Sequence, residues 1–117
     1  MALRYVILCH DGVPEPHFDL MFETAEGSAL ATWRSANWPP TKDSLKKLSD
    51  HRREYLDYQG PVGAGRGDVR QVEVGMYERL PGFEPILAFK LHGPRERVLY
   101  LRPVGFDFWA PWLAVYE

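Results

Sequence analysis

Cysteine is almost absent from this sequence: Cys9 stands alone, so no internal disulfide forms and a thiolate zinc site lacks its second sulfur. Cys9 therefore reads as a small apolar side chain in the core. No apolar run approaches the roughly 20 residues that span a bilayer, and the opening MALRYVILCHDG meets charge before a signal-peptide core is complete. These absences predict a cytoplasmic protein without a membrane partner. A basic excess is also missing. The formal net charge is −2, which excludes the whole-surface electrostatic footprint of many nucleic-acid binders. Internal repeats and low-complexity tails are absent as well. Charge is nevertheless unevenly placed: residues 1–30 carry one Arg against five acids, whereas residues 31–70 carry eight basic side chains against five acids.

What is present suffices for one hydrophobic core. The 117 residues fit a single domain, 1–117, and 45% hydrophobic with 14% aromatic side chains can fill its interior. Leu3 to Cys9 is apolar and β-branched and stops at a turn cluster, Asp11 to Pro16, so it predicts a strand. Residues 17–23 alternate strictly. Phe18, Leu20 and Phe22 face one way and His17, Asp19, Met21 and Glu23 the other, the signature of a half-buried strand with a polar face. Further strands are expected at Ala29 to Trp33, Val69 to Tyr77, Ile86 to Leu91, Val98 to Leu101 and Trp109 to Tyr116. Trp38-Pro39-Pro40 forces an extended break. After it, Thr41 as N-cap and the Leu45/Leu48 spacing predict a short amphipathic helix around residues 42–49. The expected fold class is mainly β: a small closed β-barrel of short antiparallel strands with one short helix. The four tryptophans are assigned to its core.

The chemistry-bearing residues cluster. His17 and Asp19 lie two apart on one strand face, with Cα atoms roughly 6.5–7 Å apart, so their side chains can converge on one ion. His10 ends the preceding strand. If the two strands pair as a hairpin across the 11–16 loop, His10 and His17 come together, giving two imidazoles and a carboxylate. Such a mixed N/O set suits manganese, zinc or iron. Farther on, Asp50, His51, Arg52, Arg53 and Tyr55 mix an acid–base imidazole with guanidiniums that suit phosphate, although a solvated helix end has the same composition. The glycine-rich GAGRG around Arg66 offers backbone N–H groups to an anion and serves equally as a turn between strands.

Taken in order, HDG…PHFDLMFE, DHRREYLDYQG, GRGDV and the closing WLAVYE resemble the 3′-phosphoesterase domain of bacterial DNA ligase D across nearly the whole chain. The resemblance implies that His10, His17 and Asp19 bind a divalent metal ion, manganese above all, and that His51 and Tyr55 face the substrate phosphate. Glu23 matches the acid that ends the family's H-x-D-x-R-x-E strand, and Gly65 and Gly67 match later glycines. Three departures stand out. Met21 occupies the place of an Arg that contacts phosphate, and Met cannot replace a guanidinium. Ser49 replaces an acid, and the loop between the two histidines is one residue longer. Arg52, Arg53 and Arg66 are the expected replacements for the missing phosphate contact.

The resulting expectation is a free-standing, metal-dependent 3′-phosphoesterase acting on DNA 3′ ends in repair, removing a 3′-ribonucleotide or 3′-phosphate, with any DNA repair ligase a separate chain. A catalytically weakened module that binds DNA ends or a repair protein is the alternative that Met21 and Ser49 permit. A hydrolase of small phosphodiesters unrelated to DNA is the third.

Overall fold

The apolar run and the alternating segment that follows it form β1 (Leu3–Asp11) and β2 (His17–Glu23), an antiparallel hairpin across the proline-rich turn. The computed structural model describes residues 2–40, 44–105 and 110–117. Seven more strands follow: β3 (Leu30–Ser35), β4 (Ser44–His51), β5 (Gly60–Pro61), β6 (Asp68–Leu80), β7 (Leu87–His92), β8 (Glu96–Pro103) and β9 (Trp112–Tyr116). All pairings are antiparallel, in the order β1-β2-β3-β4-β9-β8-β7-β6-β5, and an added β1–β6 pairing closes the sheet into a ring. The expected mainly β, closed antiparallel architecture is thus the observed one, with strand positions close to those read from alternation. Trp109 lies outside the described residues.

The helix expected around residues 42–49 is not formed. Thr41, Lys42 and Asp43 lie outside the described residues, and Ser44–His51 is strand β4. The Leu45/Leu48 spacing misled because β4 carries an irregularity: Thr32 pairs with Leu48 but Leu30 pairs with His51. An extra residue in one strand shifts the facing pattern and imitates a helical period over a short window. Leu45 is buried in the ring interior, paired with Trp112, while Lys47 lies over the Trp33 ring at 5.0 Å. Tertiary pairing outweighs local propensity here. Among the described residues the one helical segment is the 3₁₀ turn Arg53–Leu56.

Two apolar clusters divide the wall of the ring. The inner one is aromatic, and Phe22 stands at its centre, with ring centroids 4.8 Å from Phe89, 5.3 Å from Tyr77, 5.9 Å from Trp33 and 6.0 Å from Tyr5. The outer one is smaller: Val6, Leu8, Met21, Leu30 and Val69 on the sheet are capped by Leu56, Tyr55 and Val62. Residues 52–67 therefore lie across the outside of β1 and β2. Glu23 anchors one end of this cover. Its buried carboxylate accepts from the Arg4 backbone N–H at 2.9 Å and is ion-paired with the Arg53 guanidinium. Cys9 is buried, as expected, with its Sγ 3.4 Å from an Asp11 carboxylate oxygen.

Two outcomes follow. Phe22→Ala removes the side chain shared by four rings and is expected to cost about 3–5 kcal/mol in a urea titration. Burial alone would raise the Glu23 carboxyl, but the Arg4 N–H, the Arg53 guanidinium and the Gly27 N–H outweigh it and hold it below its ordinary value of 4.5. A depressed folded-state value means that Glu23 stabilises the fold above pH 4.5 and that this stability is lost as the pH falls through the folded value. Thermal melts between pH 6 and pH 3 should therefore decline more steeply for the wild type than for Glu23→Gln; parallel curves would refute the anchoring role.

Candidate metal and phosphate site

In the β1–β2 hairpin His10 pairs directly with His17, and Leu8 with Asp19. Pairing with a period of two puts His10, His17 and Asp19 on the same, outer face of the wall. The two imidazole centroids are 4.8 Å apart. His17 Nε2 lies 3.4 Å and His10 Nδ1 3.8 Å from the same Asp19 oxygen, Oδ2. One donor atom from each of the three lies within 4.8 Å of the others. Neighbouring ligands on an ion with bonds of roughly 2.1 Å sit about 3.0–3.5 Å apart, so a small inward adjustment completes the set.

Backbone carbonyls fix which nitrogens face Asp19. His17 Nδ1 donates to the Glu15 carbonyl at 2.9 Å, and His10 Nε2 donates to the Arg66 carbonyl at 2.7 Å. A carbonyl only accepts, so the facing nitrogen carries the proton, and the other ring nitrogen of each imidazole is the one turned toward Asp19. Carbonyl-oriented histidines of this kind are typical of metal sites. His17 Nε2 is moreover buried without a hydrogen-bond partner, a condition that costs about 1–3 kcal/mol unless something else satisfies it.

His51 and Tyr55 arrive from the far side. The β4 irregularity carries His51 over Leu30, its Nδ1 donates to the Ser49 carbonyl at 2.9 Å, and its ring lies 6.2 Å from Tyr55 on the 3₁₀ turn. Together with His10, Asp19, Arg34 and Arg66 they line a cavity of about 210 Å³ floored by Met21 and Val69. A wider cleft of about 900 Å³ opens beside it, bounded by His10, His17, Glu15, the prolines at 14, 16 and 111, and the cations Arg34, Lys46 and Arg66.

The sequence-predicted residues divide cleanly. His10, Asp19, His51, Tyr55 and Arg66 line one cavity, and His17 adjoins it beside His10 and Asp19. Arg52 is exposed, near Glu54 at 3.8 Å and over the Tyr55 ring, and Arg53 is held by Glu23; neither lines either cavity. Glu23 is a structural anchor in the same way. Met21 is fully buried in the outer apolar cluster. Two site residues escaped the sequence reading: Arg34, which pairs with Asp19 across β2–β3, and Lys46, which pairs with Arg34 across β3–β4. The signal existed in the alternation of β3, but only the register between strands reveals it, and a helix over 42–49 points Lys46 elsewhere.

The glycine loop has a mechanical role. Gly67 has φ +80°, and a Cβ there would run into the Asp11 carbonyl, while Gly12 packs against the Gly67 Cα from the opposite side. This close approach seats the loop so that the Arg66 carbonyl reaches His10. Compared with protein-family models and with curated proteins, the chain matches none. No helix among the described residues is long and apolar enough to cross a membrane.

Gly67→Ala is expected to lose at least about 1–2 kcal/mol from the left-handed conformation alone. If His10, His17 and Asp19 hold a divalent ion, releasing His10 from its carbonyl should also weaken that binding by about 10–100-fold, read by Mn²⁺ titration calorimetry. Wild-type affinity and melting in this variant would remove the loop from the site's construction.

Proposed function

We propose that this protein is a divalent-metal-dependent phosphoesterase that processes 3′ ends of DNA, removing a 3′-ribonucleotide or 3′-phosphate. The observation that carries the reading is the convergence of His10, His17 and Asp19, with a buried, unpartnered His17 Nε2, beside the pair His51 and Tyr55. The donor set fits a manganese ion: two imidazoles and one carboxylate, each imidazole oriented by a carbonyl. When bound, such an ion polarises phosphate oxygens and offsets their charge.

The chain's own groups supply the rest of the chemistry. His51, with Nδ1–H on the Ser49 carbonyl, directs Nε2 to the phosphate cavity. In its protonated form it donates that proton to the leaving oxygen as the phosphorus–oxygen bond breaks, while water supplies the new oxygen on phosphorus. Tyr55 donates a hydrogen bond to a non-bridging oxygen, and its packing in the outer cluster fixes its orientation. Arg66 brings positive charge to both cavities. The wider cleft has room for a nucleotide adjoining the reacting phosphate, and three cations on its rim favour a polyanionic chain despite the net charge of −2.

Purified protein with Mn²⁺ and a primer-template ending in a 3′-ribonucleotide or 3′-phosphate should release the terminal group. His51→Ala is expected to lower kcat by about 10²–10⁴-fold, and His17→Ala to lose both turnover and stoichiometric Mn²⁺. Equal turnover by all three proteins sinks the mechanism. Met21, apolar and buried at the cavity floor, favours a second reading in which the fold and ion persist as a DNA-end or repair-protein binding module without turnover. That reading requires Mn²⁺ binding and salt-sensitive retention of DNA ends with no product released.

A further inference from the structure

Resting on the phosphoesterase reading, we propose that Arg34 is the guanidinium that receives the substrate phosphate, entering the site from the strand next to β2, which carries no Arg or Lys of its own. Arg34 is the cross-strand partner of Asp19. Its Nε lies 3.4 Å from Asp19 Oδ1, whereas both histidines address Oδ2. One carboxylate is therefore shared between the ion site and a guanidinium on opposite edges, and Arg34 is held at the cluster without occupying a ligand position.

Position and exposure add to this. Arg34 lines both the small cavity with His51 and Tyr55 and the wide cleft, as His10 and Arg66 do, so it stands where the two adjoin. Asp19 is buried, but the Arg34 side chain is 41% exposed, and among the described residues its two terminal nitrogens take no hydrogen bond. A guanidinium anchored through Nε keeps a pair of N–H donors in the fork geometry that matches two phosphate oxygens. The other arginines are less well placed. Arg53 is committed to buried Glu23, Arg52 is exposed beside Glu54, and the Arg66 guanidinium turns back to the Gly63 and Val62 carbonyls of its own loop.

The consequence is a division of labour. Asp19 binds the ion through one oxygen and aims Arg34 through the other, so ion and guanidinium approach the same phosphate from adjacent strands. Loss of Arg34 should weaken the anion and spare the ion.

The test uses intact protein and two titrations, Mn²⁺ alone and inorganic phosphate on the Mn²⁺-loaded form. Arg34→Gln is expected to weaken phosphate at least tenfold while changing the Mn²⁺ affinity less than threefold. Arg34→Lys should recover part of the phosphate affinity, because it restores charge without the fork. Arg79→Gln, near the opposite end of β6 from Val69, is the charge control, and melting curves of each variant report folding. Phosphate affinity in Arg34→Gln no weaker than in Arg79→Gln overturns the proposal, and so does a parallel loss of Mn²⁺, which would make Arg34 a support for Asp19 only. Wild type that binds Mn²⁺ but no phosphate overturns the role of Arg34 and leaves the ion site standing. Phosphate bound without Mn²⁺ and lost in Arg34→Gln upholds Arg34 while the metal reading falls, and binding of neither overturns both.

Discussion

The register of β1 against β2 is the constraint on which the geometry of the candidate site depends. With His10 opposite His17 and Leu8 opposite Asp19, two imidazoles and a carboxylate share the outer face, while Tyr5, Ile7, Leu20 and Phe22 share the inner one. A slip of β2 by one residue would send His17 and Asp19 into the aromatic interior and Leu20 and Phe22 toward water. The hydrophobic effect that packs Phe22 among four rings thus also aligns the candidate ligands. Stability and site geometry are consequences of one pairing.

Placing the site on the outer wall creates a second requirement, because a buried histidine nitrogen on an exposed sheet face needs a cover. Residues 52–67 provide it, laying Leu56, Tyr55 and Val62 over Val6, Leu8 and Met21. The same segment delivers Tyr55, Arg66 and the carbonyl that orients His10. It is held down at one end by the Arg53–Glu23 ion pair and at the other by the tight contact of Gly67 with Asp11 and Gly12. Structural cover and functional loop are one piece of chain.

Charge is deployed locally. A net charge of −2 hides a rim of Arg34, Lys46 and Arg66 around the cleft. Three cations focused on a concave, partly desolvated surface act on a phosphate more strongly than the global sum indicates. Met21, by contrast, contributes apolar contact in the small cavity, and the guanidiniums there come from β3 and the glycine loop.

Much of this was readable from residues in order. Alternation in 17–23 and the apolar run 3–9 specify two strands and a polar face, because side-chain direction in an extended chain depends only on position parity; hence His10, His17 and Asp19 could be grouped in advance. Segment 42–49 could not be read, because Leu45 and Leu48 obey a helical spacing until the irregularity opposite Leu30 and Thr32 is known. Nor is the arginine that neighbours Asp19 readable from local order. Arg53 sits nearer His51 in sequence, but a buried carboxylate from β2 claims it, and Arg34 joins the site only through β2–β3 pairing. Local order determined which residues share a strand face. Only the closed sheet decided which strands are neighbours, since that choice is made by burying the inner faces of all of them at once.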